Sequence, residues 1–316
     1  MNDYSACVLQ SGAGKRLDAW LASLYPDLSR GVVQKWIDAG ATIDGRKAKP
    51  SAKLNVGQVV CWHAVFEVVV DPDQAQPIEL DILYDDDDVA VIYKPAGMVM
   101  HPAAGNPDGT MLNALLHHFP SAAELPRAGI VHRLDKDTSG LVMVAKSQRA
   151  HLSLVDQLAT REAGRTYDAV VTGALVAGST IDQPIARHPV DRKRQAVRSD
   201  GKPAITHYRV HERFRAHTWI RVKLETGRTH QIRVHMAHTH HVLIGDRTYG
   251  YRAGNLAKAS DRFNDTLRRF PRQALHARAL QFLHPADGRV MQFEREMPDD
   301  MQALIDCLRD DLQCNG

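Results

Sequence analysis

The strongest constraint in this 316-residue chain is a polar stretch, His132-Arg133-Leu134-Asp135-Lys136-Asp137-Thr138-Ser139-Gly140, set between two apolar runs. Gly129-Ile130-Val131 precedes it and Leu141-Val142-Met143-Val144-Ala145 follows. A short apolar run bounded by turn residues reads as a buried strand, so the stretch is a loop carried by a sheet. Loops on rigid scaffolds are where catalytic groups concentrate. A carboxylate next to an arginine is costly to hold there unless the charges are paired or put to use. The plainer reading is a tight turn in which Asp135 or Asp137 caps backbone amides. The loop alone does not choose between the two.

The surrounding pattern is that of a sheet with long loops. Strands are predicted over residues 89–93, 141–145, 167–172 and 218–224. In the last, Thr218, Ile220, Val222 and Leu224 share one face and Trp219, Arg221 and Lys223 the other. Ser147 is placed to cap a helix with Leu152, Val155 and Leu158 inward. Helices are too few for regular βαβ alternation, so the expectation is α+β, a mixed and largely antiparallel sheet with flanking helices and loops.

Residues 16–60 read as a separate small module. Leu17, Trp20, Leu21 and Leu24 fall on one helix face, and Pro26 ends that helix. Ser29 is an N-cap for a second helix, with Val32, Val33, Trp36 and Ile37 inward and Gly40 as its stop. Ile43-Asp44-Gly45 reads as a hairpin turn. A unit this short is expected to own little core and to serve as a binding device. An acidic, proline-bearing stretch follows (residues 71–88) and reads as a linker.

Composition narrows the classes further. Hydrophobic residues at 44% and charged residues at 24% are ordinary globular values. No run approaches the roughly 18 apolar residues of a membrane span, and residues 1–15 lack a signal peptide's order. Cys7, Cys61, Cys307 and Cys314 show no CxxC spacing, so reduced thiols in a cytoplasm are expected. The net charge of +3 matters less than its distribution. Basic residues cluster at 46–53 and again at 187–202 (Arg187, Arg192, Lys193, Arg194, Arg198, Lys202), a footprint compatible with phosphate. His230, His235, His238, His240 and His241 crowd one segment, but no HExxH pattern accompanies them, so no metal site is expected.

Three more segments put polar groups at strand-to-loop transitions, where a cleft would form. They are Lys94-Pro95-Ala96-Gly97 followed by His101-Pro102, then Arg165-Thr166-Tyr167, then Thr226-Gly227-Arg228-Thr229-His230-Gln231-Ile232-Arg233-Val234-His235, the last with Thr229 as a candidate helix cap. In this order, together with Ala274-Leu275-His276-Ala277 and Leu283-His284-Pro285, the chain resembles the RluA-type pseudouridine synthases. The N-terminal module, through Arg16-Leu17-Asp18, Ser29-Arg30 and residues 40–45, resembles the S4 RNA-binding domain. Asp44 stands where that pattern commonly has Asn, and Ala103 where the nearest subgroup usually has Gly.

The resemblance implies an S4 domain over 14–75, an acidic linker over 76–88 and a catalytic domain of the pseudouridine synthase fold over 89–316. It implies a cytoplasmic, monomeric isomerase that turns uridine into pseudouridine in large-subunit ribosomal RNA or its assembly precursor, at several neighbouring uridines of one hairpin. The reaction breaks N1–C1′ and rejoins the base through C5, so neither cofactor nor metal is implied. The flipped base would meet Asp135 as nucleophile, Arg233 as its ion-pair partner and Tyr167 as the residue that stacks on uracil and acts as a base. Arg228 competes with Arg233 for the pairing. Asp137 caps the turn, and Arg133, Arg228, Lys94, His132 and Ile232 bind substrate. Ser29, Arg30 and Lys35 would face RNA phosphates. Outside this family, an idle RNA-binding assembly factor and a metal-dependent hydrolase built on the histidines are the competing readings.

Overall fold

In the computed structural model, which describes residues 2–24, 30–64, 74–103, 105–254 and 256–315, the chain divides into two units, 1–69 and 70–316. The first contains β1 (Asn2–Cys7), α1 (Leu17–Leu24), α2 (Arg30–Asp38), β2 (Thr42–Ile43), β3 (Arg46–Lys47) and β4 (Val59–Ala64), with sheet order β1-β4-β2-β3. Leu17, Trp20 and Leu21 of α1 meet Val33, Trp36 and Ile37 of α2 over Val8, Leu54, Val60 and Trp62. The module therefore owns more core than expected, helped by the unanticipated strand β1. Leu24, expected inward, closes α1 and is 44% exposed. Pro26 and Ser29 lie outside the described residues, as does the Val32 side chain. The hairpin is where it was expected. Asp44 and Gly45 both take positive φ (49° and 76°), as a two-residue turn of the primed kind requires. The Asp44 carboxylate accepts the Val59 N–H at 2.8 Å, tying the turn to β4.

The second unit is built on a nine-stranded sheet. Its strands are β5 (Asp81–Asp85), β6 (Val89–Lys94), β7 (Ser139–Ala145), β8 (Gly164–Thr172), β9 (Ser179–Asp182), β12 (Ile205–Arg213), β13 (His217–Leu224), β14 (Leu275–Leu283) and β15 (Val290–Glu294). A separate hairpin pairs β10 (Ile185–Arg187) with β11 (Gln195–Val197). The sheet order is β5-β6-β7-β14-β8-β13-β12-β9, with β15 also paired to β14. Every pairing is antiparallel except the short β7–β14 contact at Ser139 and Gly140. Gly140 makes that contact possible: its φ is +123°, and a Cβ would lie 2.3 Å from the Ala277 carbonyl oxygen.

Helices α3 (Met111–His118), α4 (Gln148–Thr160), α5 (Gln231–His238), α6 (Asp261–Arg269) and α7 (Asp299–Asn315) flank the sheet. β13 feeds two cores, one on each face. Ile220, Val222 and Leu224 enter one core with Tyr167 and Ile232, while Trp219 enters a second with residues of α6 and α7. Each such fully buried side chain contributes about 1.5–3 kcal/mol. The strands expected from apolar patterning are all present, within one to three residues at their ends.

Two expectations need correction. The acidic stretch is not a linker over 76–88, because residues 81–85 form β5, paired with β6. Its carboxylates serve as acceptors. Asp86 takes the N–H groups of Asp88 and Val89 at 2.8 Å each, and Asp88 takes the Ser147 hydroxyl at 2.6 Å. In α4 Ser147 is the cap, but the buried face carries Ala150, Leu154 and Gln157, while Leu152 and Val155 are 64% and 43% exposed. The Gln157 amide exchanges hydrogen bonds with the Leu283 backbone (2.7 and 2.8 Å), which turns that face inward.

Candidate active site

The loop before β7 is held open by two cations acting on its carbonyls. Lys94, at the end of β6 and fully buried, donates to the oxygens of Pro95 (2.8 Å), Met98 (2.9 Å) and Lys136 (3.0 Å). Burial pushes its ammonium down to about 7, against the nearby carboxylates of Asp137 and Asp135. Arg272 donates to the Asp137 carbonyl at 3.1 Å and forks onto Asp300 of α7 at 2.6 and 2.8 Å. With its carbonyls engaged, the loop directs Asp135 into a cleft lined by Arg133, Arg165, Tyr167, Arg228 and Arg233.

Asp135 Oδ2 accepts from Arg233 Nη1 at 3.0 Å. Arg233, on α5, also forks onto Asp246, with Nε–Oδ2 at 2.7 Å and Nη2–Oδ1 at 2.9 Å. Burial works against this guanidinium's charge, but the hydrogen bonds to Asp246 and the attraction of both carboxylates outweigh it and raise its pKa. Its Cζ lies 5.0 Å from the centre of the Tyr249 ring, and the Tyr249 hydroxyl shares a 2.7 Å hydrogen bond with His230 Nδ1. His230 Nε2 is 3.8 Å from Asp135 Oδ1. The cluster thus gives the nucleophile candidate one hydrogen-bond donor, on Oδ2, and leaves Oδ1 without a hydrogen bond among the described residues.

Helix α5 begins differently than expected. Its cap position is His230 in the left-handed region (φ 56°), without a side-chain cap bond, and Thr229 does not serve. Gln231 organises the turn instead. Its Oε1 accepts from the Thr226 hydroxyl (2.8 Å) and the Arg228 N–H (2.9 Å), and its amide donates to Ile205 and Thr206.

The expected site residues sort as follows. Asp135, Tyr167 and Arg233 converge on the cleft, with exposed Arg133 and Arg228 and buried Ile232 in its lining. Arg228 does not pair with Asp135; its Nε donates to the Pro203 carbonyl at 3.1 Å. Lys94 is not a substrate contact, because it is buried and its three donors are engaged by backbone. His132 is not in the lining of the Asp135 cleft but lines the adjoining pocket with Arg133, Arg165 and Gly227. The β7–β14 pairing ends at Gly140, and His132 Nε2 accepts the Met143 N–H at 3.1 Å beyond it. Burial pushes that imidazole down to about 3, so it is neutral. Asp137 caps nothing: among the described residues its carboxylate has no hydrogen bond, and the turn is closed by the Thr138 N–H on the Asp135 carbonyl (3.1 Å).

Tyr167, 5% exposed, has its phenol raised by burial and by Asp135, with Arg165 opposing. A protonated phenol can stack or donate, and it is not a base until it loses that proton. The histidines are held by other contacts. His235 bonds to Thr206 and Gln183, and His241 to Thr172. Among the described residues no three His, Cys, Asp or Glu side chains gather as a metal would need. In the first unit Lys35 is exposed on α2, the Arg30 side chain is not described, and Ser29 lies outside the described residues.

Sequence reasoning missed Asp246, Tyr249 and His230. The available signal was physical: a buried arginine serving one aspartate asks for a second anion, and Asp246 follows the apolar run Val242-Leu243-Ile244.

Comparison with known proteins agrees with this architecture. Residues 88–238 match the family model described as RNA pseudouridylate synthase, and residues 15–60 match that of the S4 domain. A Xanthomonas campestris protein named ribosomal large subunit pseudouridine synthase D is 52% identical, over 97% of this chain and 92% of its own. The Escherichia coli protein of the same name is 50% identical, over 98% and 95%. Among solved structures, human RNA pseudouridylate synthase domain containing 1 superposes with a TM-score of 0.56 at 27% identity, covering 74% of this chain and 89% of that one. No helix among the described residues is long and apolar enough to cross a membrane. With Asp135, Tyr167 and Arg233 gathered at one cleft and half of all residues shared with these relatives over nearly their full length, the chain belongs to the RNA pseudouridylate synthase family and carries an S4 domain at its N-terminus.

Proposed function

We propose that this RNA pseudouridine synthase acts on large-subunit ribosomal RNA, isomerising several neighbouring uridines of one hairpin. The observation that carries the substrate is the identity of about half the residues, end to end, with proteins named for that RNA. The S4 module, with Ser29, Arg30 and Lys35, and the basic β10–β11 hairpin beside the cleft hold RNA phosphates. The target uridine leaves its stack, at a cost of a few kcal/mol, and Arg133 at the rim fills its place or holds its phosphate. Tyr167 stacks on the base.

Asp135 then meets the electron-poor sugar carbon as N1–C1′ breaks, oriented by Arg233. The supporting geometry is the 3.0 Å Arg233–Asp135 bond at a residue that lines the cleft. The step is redox-neutral and hydrolyses nothing, so it calls for no cofactor. Asp135→Asn is expected to abolish pseudouridine formation in a large-subunit RNA transcript, read by primer extension after carbodiimide treatment, while RNA affinity stays near wild type. Normal turnover by that variant would remove Asp135 from its role. Unchanged pseudouridine in ribosomal RNA from cells lacking the protein would remove the substrate.

A further inference from the structure

Four cations are buried among the described residues: Lys94, Arg165, Arg233 and Arg272. Three are accounted for, Lys94 by three carbonyls, Arg233 by Asp135 and Asp246, and Arg272 by Asp300. Arg165 is not. It is 7% exposed, its Nε is buried without a partner, and no hydrogen bond or ion pair joins its guanidinium to another described residue. A largely buried cation with no partner in the fold is costly to keep.

Its position is specific. Arg165 lies on β8 two residues before Tyr167, so both side chains leave the same face of the strand. Both line the cleft that holds Asp135. Room has been left for the guanidinium: at Gly227 a Cβ would come within 2.5 Å of Arg165 Nη1. Gly227 has no positive φ, so space and not backbone freedom is what glycine supplies there.

The reaction supplies the missing anion. When N1–C1′ breaks heterolytically the electron pair stays on N1, and uracil leaves as an anion with its charge spread over N1, O2 and O4. The sugar carbon is left electron-poor and faces Asp135. Rotation and attack through C5 place a pair of the anion in the new C5–C1′ bond, and transfer of the C5 proton to N1 then gives the neutral base of pseudouridine. Asp135 and Asp246 against Arg233 leave the cleft one negative charge for the sugar side, and Arg165 offers one positive charge beside the tyrosine that faces the base.

We propose that Arg165 is the counter-ion of the detached uracil, a catalytic residue that stabilises negative charge present only while the base is free. The inference rests on the reading of Asp135 given above. A backbone phosphate would be the ordinary partner for an arginine in such a protein, but exposed Arg133 and Arg228 stand at the rim for that. A phosphate also carries its charge before, during and after the reaction, so the two roles act on different measurements.

The test uses the full chain with Arg165→Met and Arg165→Lys and a large-subunit RNA transcript. Single-turnover rates at saturating enzyme are expected to fall on the order of 10²-fold for Arg165→Met, with partial recovery in Arg165→Lys. The Kd for RNA should stay within about threefold. The deficit of Arg165→Met should narrow on RNA containing 5-fluorouridine, whose less basic uracil anion needs less help; because fluorine at C5 stops the reaction after the new C5–C1′ bond forms, the rate there is read as loss of the starting nucleoside after nuclease digestion. The melting temperature of Arg165→Met should equal or exceed wild type, since an unpaired buried charge has been removed.

A weaker Kd with an unchanged saturated rate would overturn the proposal in favour of a phosphate contact. A lowered melting temperature, with equal losses in both variants and on both substrates, would overturn it in favour of a structural role. An active Asp135→Asn would sink the reading beneath the proposal. An inactive Asp135→Asn alongside an Arg165→Met of wild-type rate would sink this inference alone.

Discussion

Asp246→Ala is the most informative substitution at the site, because Asp246 touches no substrate in the proposed reaction yet carries two of the three bonds that hold Arg233. Its side chain is 1% exposed and that of Arg233 is 7% exposed, so removing the carboxylate leaves a buried guanidinium with Asp135 alone. Removing one partner of a buried pair costs about 3–5 kcal/mol. Because the bond to Asp135 is kept, the expectation lies near the lower end, about 3 kcal/mol. In a chain of this size 1 kcal/mol moves the melting point by about 2–4 °C, so a fall of roughly 6–12 °C is expected by circular dichroism. Turnover should fall as well, because the remaining bond can swing. The double variant Asp246→Ala/Arg233→Met removes both charges and should recover much of the stability while staying inactive. If the single variant melts within about 2 °C of wild type, or the double is no more stable than the single, the account of the cluster is wrong.

Three further outcomes are expected. His132 is neutral in the fold, with its pKa moved from 6.5 to about 3, whereas the unfolded chain takes a proton near 6.5. The stability it contributes is therefore complete above 6.5 and lost as pH falls toward 3. Urea denaturation across that window should show a shallower pH slope for His132→Gln, and an unchanged slope would count against the burial argument. Lys94→Met should sharply lower stability and the single-turnover rate by freeing three carbonyls, yet leave RNA affinity near wild type; a selective loss of affinity would restore Lys94 as a phosphate ligand. Arg192→Ala with Lys193→Ala on the exposed β10–β11 hairpin should weaken RNA binding and reduce the salt slope by up to about one unit for each phosphate left without its cation, and an unchanged slope would remove the hairpin from the RNA path.

Much of the architecture is legible in the chain because it is local. The apolar runs at 89–93 and 141–145 can only be buried strands, the Asp44-Gly45 turn announces its hairpin, and Ser147 announces its helix. The buried face of α4 is not legible, because Leu152 and Val155 fit a helical stripe as well as Leu154 does. A partner 126 residues away, Leu283, decides the orientation through Gln157. The acidic run is opaque for a similar reason: Asp86 and Asp88 look like solvated charge until the N–H groups and hydroxyl they accept from are known. At the cleft, Asp135, Tyr167 and Arg233 could be named from motif order, and Asp246 could not, since its purpose is visible only once Arg233 is seen to be buried. Lys94 and His132 sit in the right motifs, but their neighbours turn them toward the backbone.

β14 has a consequence for when the protein becomes an enzyme. It lies between β7 and β8, so without it the sheet falls into β5-β6-β7 and β8-β13-β12-β9. The first piece carries Asp135, and the second carries Tyr167 and leads into Arg233. β14 begins at Leu275, and Asp300, which steadies the Asp135 loop through Arg272, comes later still. β14 follows both halves in the chain, so during synthesis the sheet can take its final strand order only after residues 275–283 have emerged. A chain cut before Leu275 would keep Asp135, Tyr167 and Arg233 and lose the strand that joins their two halves of the sheet.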